Sequence, residues 1–242
     1  NAGSNGKFLA VLDFDVRGGK VQDFRYKLLP VFSNLLPADA GMAAYIEKVR
    51  APHKAKLEEK LAVSEGLLYR RGNFNGTWDD LICQGIREQR DVQIALSPGF
   101  RWGTTLLPGQ DITVDDLYTE TAMSYPAVYR NEMTGAQLKE ILEDVCDNLF
   151  NPDPFYQQGG DMVRVGGMSY SCNVNAEIGG RITDMALEDG SPIEADKSYT
   201  VGGWASVNEG TEGPAIYDLM EEFITARGTV NVPEESTVKV VL

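Results

Sequence analysis

At 242 residues and 43% hydrophobic content, with no apolar run of about 18 residues, the chain can bury a sizeable core and carries nothing that reads as a membrane-spanning helix. Its 36 acidic and 22 basic residues give a formal net charge of −14, a field that repels phosphate backbones and anionic membrane surfaces and so argues against nucleic acid as a partner. One histidine, His53, and three cysteines without the close pairs of metal sites argue against a self-contained transition-metal centre, and equally against a Ser-His-Asp triad.

In chain order, residues 7–16, KFLAVLDFDV, put Phe8, Ala10, Leu12, Phe14 and Val16 on one face. RGGK supplies a turn and VQDFRYKLL returns, which predicts a β-hairpin in need of further sheet, because two strands alone are marginal in water. From Asp39 to about Leu61, Ala43, Ala44, Ile46, Val49, Leu57 and Leu61 stand among charged residues. That spacing predicts a solvated connecting helix, interrupted at Pro52, with His53 on its surface.

A helix beginning near Thr77 places Leu81, Ile82 and Ile86 on one side, and VQIAL after it reads as a short buried strand ending at SPGFRWG. Thr134 with Gln137 has capping-box form, and Leu138, Ile141, Leu142, Val145 and Leu149 carry a helix to Asn151, where Pro152 and Pro154 stop it. The remainder reads as strands around MVRVGGMSYSC, GRITDMALEDGSPI with its Asp-Gly turn, SYTVGGW and STVKVVL, with a short helix at IYDLMEEFI. The pattern predicts an α+β, mixed α/β fold: a mixed sheet with helices packed on it.

Three segments are candidates for chemistry. LSPGFRWGTTL, residues 96–106, runs from a buried strand into a loop presenting Arg101 and Trp102; a strand end is a favoured ligand position, and a guanidinium matches the oxygens of phosphate, sulfate or sulfonate. Arg70 and Arg71 precede the helix near Thr77 and together can neutralise an oxyanion. QQGGDMVRVGG, residues 157–167, has paired glycines but no helix after it, so it reads as tight turns rather than a nucleotide loop. Loop aromatics able to wall a pocket are Trp102, Tyr125, Tyr129, Phe155, Tyr156 and Trp204. The cysteines read as buried thiols, with Cys146 and Cys172 able to pair in an oxidising compartment.

NGTWDDLICQGIREQRDVQIALSPGFRWG, residues 75–103, resembles the opening of the 5′-nucleotidase C-terminal domain, and DITVDDLYTETAMSYPAVYRNEMTGAQLKEILED, residues 111–144, continues the resemblance. GSNGKFLAVLDFDV, residues 3–16, resembles the final strands of the metallophosphatase domain of the same superfamily. Within it, LSPGFRWGTTLLPG, FNPDPFYQQGGDMVRVGGMSYSC and IEADKSYTVGGWASVNEG are similar to the SoxB family of sulfur-oxidation thiosulfohydrolases. The segments that hold nucleotide-clamping aromatics in nucleotidases read SYPAVY and ASVNEGTEGPAIY here, which argues against a purine clamp.

The resemblance implies residues 1–36 as the tail of a metallophosphatase catalytic domain, with residues 1–2 a tag remnant, residues 37–65 as an interdomain helical linker, and residues 66–242 as the substrate-binding domain. It implies a periplasmic hydrolase that releases sulfate from a cysteine S-thiosulfonate on a SoxY-type carrier protein, using two manganese ions bound by an N-terminal domain absent from this chain. Arg101 and Arg70 or Arg71 would orient the anionic group, with Trp102, Tyr125, Tyr156 and Trp204 around it, and this chain alone would not turn over. A 5′-nucleotidase-type substrate and a non-catalytic carrier-binding module are the alternatives.

Overall fold

The computed structural model describes residues 2–3, 6–32, 34–70, 72–206, 210–233 and 236–241. Two compact units, Asn1–Lys56 and Leu57–Leu242, divide the chain.

In the first unit, β1 (Phe8–Arg17) and β2 (Lys20–Pro30) form an antiparallel ribbon. The turn is Gly18-Gly19, both at positive φ (58° and 75°), the geometry a two-residue hairpin needs and glycine takes without strain. Phe14 lies opposite Phe24 and Leu12 opposite Tyr26, yet Phe8, Leu12, Phe14, Phe24, Tyr26 and Leu28 are all exposed. Helix α1 (Ala40–Arg50) is capped by Asp39, whose Oδ1 accepts from the Met42 N–H at 2.8 Å. A 3-10 turn, Ala51–His53, takes Pro52 near its start, and α2 (Lys54–Leu57) follows. The helical stretch therefore stops at Leu57, short of the expected Leu61, which is buried in the next strand.

The second unit runs β3 (Lys60–Ser64), α3 (Thr77–Arg90), β4 (Ile94–Ser97), β5 (Asp111–Thr113), α4 (Val114–Glu120), β6 (Tyr129–Thr134), α5 (Gly135–Phe150), β7 (Arg164–Gly166), β8 (Met168–Asn173), β9 (Ile182–Leu187), β10 (Ser198–Gly203), α6 (Ile216–Arg227), β11 (Thr229–Val230) and β12 (Val238–Val241). Its strands fall into three mixed sheets, ordered β6-β10-β4-β7, β11-β3-β5 and β12-β8-β9. The mixed α/β class is as expected; the division into several sheets is the refinement.

The Thr134 capping box forms as predicted, with Gln137 N–H donating to Thr134 Oγ1 at 3.2 Å and Thr134 N–H to Gln137 Oε1 at 2.8 Å. A second box, Thr113 with Asp116, starts α4, which is too short to show helical periodicity. MVRVGGMSYSC, expected as one strand, breaks at Gly167 into β7 and β8, which belong to different sheets. Gly167 has φ 75°, and a Cβ there would lie 2.1 Å from the Gln93 carbonyl oxygen, so only glycine can make this bend against the start of β4.

Two apolar clusters result. One gathers Trp78, Ile82 and Ile86 of α3 with Met220, Phe223 and Ile224 of α6, and the other gathers Leu138 and Leu142 of α5 with Ile94, Val165, Tyr170 and Val201. They meet at β4, whose Ala95 belongs to the first cluster and whose Ile94 and Leu96 belong to the second.

Candidate functional site

Strands β4 and β10 are parallel, with Leu96 opposite Gly203, so their C-terminal ends lie side by side. Ser97 and Trp204 leave these ends, and the Trp204 indole N–H donates to Ser97 Oγ at 2.9 Å. The chain after Ser97 then lies against a second segment: Asp161 N–H donates to the Gly99 carbonyl at 3.2 Å, and a Cβ on Gly99 would stand 2.3 Å from the Met162 carbonyl oxygen. Phe100 stacks on Trp102 at a centroid distance of 4.0 Å, meets Trp204 edge-on at 5.6 Å, and has the Arg70 guanidinium 5.8 Å from its centroid.

Beneath this loop three guanidinium groups and three carboxylates alternate. Glu120 Oε2 lies 3.4 Å from Arg70 Nε, which lies 3.0 Å from Asp79 Oδ1; Asp79 Oδ2 lies 3.2 Å from Arg164 Nε. Arg164 Nη2 is 3.5 Å from Asp161 Oδ2, and Asp161 Oδ1 is 3.1 Å from Arg101 Nε. The side chains of Arg70, Asp79, Glu120 and Arg164 are at most 1% exposed, whereas that of Arg101 is 49% exposed. The row thus runs from the core to the surface and ends on Arg101, which also donates to the Gly160 carbonyl through Nη2. Asp79 Oδ2, Glu120 Oε2 and Arg164 Nε face charged neighbours without an aligned hydrogen bond, so the Glu120–Arg70 and Asp79–Arg164 side-chain pairs hold by charge more than by directed bonding, whereas Arg70 Nε donates to Asp79 Oδ1.

Burial dominates the inner acids. It pushes the Glu120 carboxyl up to about 7, against the pull of Arg70 and the Thr104 N–H, which donates to Glu120 Oε1 at 2.6 Å. Asp80 is pushed up to about 7 by burial and by the neighbouring charge of Asp79. Asp79 is also raised by burial, with Arg70 and Arg164 opposing. Gly103, at φ 139°, brings the loop so close to Glu120 that a Cβ would lie 2.5 Å from Oε1.

Of the residues singled out in the sequence, Arg101, Trp102, Arg70 and Trp204 come together here. Arg70 and Trp204 are buried, which puts them under the loop instead of on its face. Arg71 lies outside the described residues. Tyr125 (50% exposed) and Tyr156 (66% exposed) sit in other loops, and Phe155 is almost fully exposed. Tyr129, on β6, is largely shielded, and its hydroxyl oxygen stands 2.3 Å from where a Gly203 Cβ would be. Residues 157–167, a candidate segment read mainly as tight turns, contribute Asp161 and Arg164 to the row; these two, with Asp79 and Glu120, are not among the residues singled out in the sequence. An acid and an arginine among glycines and valines was the one available sign, and charge at a strand position otherwise fit for burial asks for a partner.

Among the described residues no group of three or more His, Cys, Asp or Glu side chains is placed to hold a metal ion. No helix of the described residues is long and apolar enough to cross a membrane.

The family model for the 5′-nucleotidase C-terminal domain matches residues 62–221, from within β3 to within α6. The chain belongs to this family. Among solved structures, the sulfate thiohydrolase SoxB of Thermus thermophilus, in complex with glycerol, is 37% identical, with a TM-score of 0.88 over 98% of this chain and 45% of that one. A 5′-nucleotidase precursor, also from Thermus thermophilus, is 17% identical, with a TM-score of 0.78 over 98% of this chain and 50% of that one. The NAD nucleotidase of Haemophilus influenzae is 18% identical, with a TM-score of 0.62 over 88% and 46%. The last two share the fold. A comparison with curated proteins found no match. The chain spans half or less of each of these structures, and the family and its neighbours are hydrolases.

Proposed function

We propose that the loop carrying Arg101 and Trp102 receives the anionic group of the substrate in a two-domain hydrolase, and that this substrate is a cysteine S-thiosulfonate on a SoxY-type carrier protein. The observation that carries the reading is the row of alternating charges ending on Arg101. It brings a permanently ionised, forked donor to the surface beside the C-terminal ends of two parallel strands, where α/β sheets place ligands. Identity of 37% with SoxB over 98% of this chain supports sulfur chemistry over phosphorus chemistry.

In this reading Asp161, which lies between Arg164 and Arg101, orients the Arg101 fork toward the sulfonate oxygens. The Trp102 indole, stacked on Phe100, shields one side of that contact from water. The overall step joins a water oxygen to the sulfonate sulfur and breaks its bond to the sulfane sulfur, which stays on the carrier while sulfate leaves. The two manganese ions belong in this reading to a part of the enzyme outside this chain, and the enzyme to the periplasm; the chain alone binds the anion without releasing sulfate.

Calorimetric titration with a carrier-type peptide ending in a cysteine S-thiosulfonate tests this. The chain binds it, and Arg101→Met weakens binding by roughly 10- to 100-fold, the worth of a hydrogen bond between charged groups. Unchanged affinity in the variant removes Arg101 from the site. Binding of AMP in place of the peptide makes the substrate a nucleotide.

A further inference from the structure

Away from the loop, Cys146 of α5 and Cys172 of β8 bring their sulfur atoms to 3.4 Å, and both side chains are fully buried. Two thiols 26 residues apart in sequence meet here because α5 packs across the sheet that contains β8. Glu143, one turn before Cys146, fixes this packing by accepting the N–H groups of Gly179 at 2.8 Å and Ile182 at 2.8 Å. Arg181 Nη1 meets Asp147 Oδ1 at 2.6 Å just beyond. The helix is thus pinned to the edge strand β9 on both sides of Cys146, so the sulfur separation is held by backbone anchors and not by the thiols themselves. A disulfide bond is about 2.05 Å long, so the two sulfurs have only a little over ~1 Å left to close. The third cysteine, Cys83 on α3, belongs to the other apolar cluster.

We propose that Cys146 and Cys172 form an intramolecular disulfide when the chain folds in an oxidising thiol environment, cross-linking α5 to β8 and leaving Cys83 as the free thiol. The thiolate of one cysteine opens the S–S bond of a donor disulfide, such as oxidised glutathione, forming a mixed disulfide and releasing one donor thiolate. The other cysteine, on losing its proton, then attacks that protein sulfur and displaces the second donor thiolate. Two protein thiols are oxidised, one donor disulfide is reduced, and the two thiol protons end on the two donor thiolates. Because both sulfurs are inaccessible in the folded chain, exchange takes place while the chain is still folding.

The test is to unfold and reduce the chain, refold it in a buffer of reduced and oxidised glutathione, then denature it in N-ethylmaleimide and weigh it intact. One maleimide adduct is expected, with peptide mapping showing Cys146 joined to Cys172 and the adduct on Cys83. Three adducts, a bond that includes Cys83, or glutathione retained on Cys146 or Cys172 overturns the proposal. The unsubstituted chain suffices for this readout. Cys83→Ala adds a second: it should take no adduct after the same refolding, and two adducts would overturn the pairing.

Discussion

Replacing Arg70 and Arg101 separately by methionine separates a buried strut from a surface contact. Arg70 Nε holds Asp79 Oδ1 at 3.0 Å, its Nη1 donates to the Glu120 carbonyl at 2.7 Å, and Glu120 Oε2 lies 3.4 Å from Nε. Methionine keeps much of the volume and removes all three, leaving two carboxylates in the core with only Arg164 and Thr104 to face. Breaking a buried ion pair from one side costs about 3–5 kcal/mol. For a unit of this size that corresponds to a Tm lower by roughly 6–20 °C. Arg101→Met removes a half-exposed pair with Asp161, worth about 1 kcal/mol at most, and Tm should move by no more than about 4 °C. Thermal melts followed by circular dichroism, with titration of the S-thiosulfonate peptide on the same samples, give both readouts. If Arg70→Met melts within about 1 kcal/mol of the parent chain and loses anion affinity as Arg101→Met does, Arg70 is a ligand and the strut argument is wrong.

Glu120 supplies a pH signature. Its folded pKa of about 7 stands above its ordinary value of 4.5, so between those limits the folded chain keeps a proton that the unfolded chain has lost, and stability falls as pH rises through this window. The loss from this group is roughly 3 kcal/mol, and Glu120→Gln removes that component, which urea titrations at pH 5 and about pH 7.5 measure; parallel pH profiles for the two chains contradict it. Gly167→Ala forces a left-handed backbone on a residue whose new Cβ meets the Gln93 carbonyl oxygen, and should cost at least about 2 kcal/mol; a melt within about 0.5 kcal/mol of the parent would refute the close approach. Once the Cys146–Cys172 bond has formed, reducing it opens a 26-residue loop and should cost roughly 3–4 kcal/mol in chemical denaturation, with no change showing that the cross-link leaves the unfolded chain unconstrained. Thr134→Ala removes the cap of α5 and should cost about 1 kcal/mol on the same assay.

Local chemistry made much of this legible in advance. The Gly18-Gly19 turn, the Thr134–Gln137 box and the apolar spacing of α3 and α5 are satisfied by residues close in sequence, so their form follows from the chain itself. The polar strand β6 and the seven-residue α4 stayed hidden, because short elements carry too few positions for a period to emerge. The break at Gly167 stayed hidden as well, since its cause is a carbonyl oxygen on Gln93, 74 positions away along the chain. Arg101 and Trp102 were visible as a loop at a strand end, which is a local pattern. The row that supports Arg101 was not, because Glu120, Arg70, Asp79, Arg164 and Asp161 come from three distant segments, residues 70–79, 120 and 161–164, and meet only when those segments pack together. Sequence by itself therefore determined which segments turn, coil or extend and which family they make. Tertiary packing decided which charges share a buried space, because the cost of burying a charge is set by its neighbours in three dimensions and not by its neighbours along the chain.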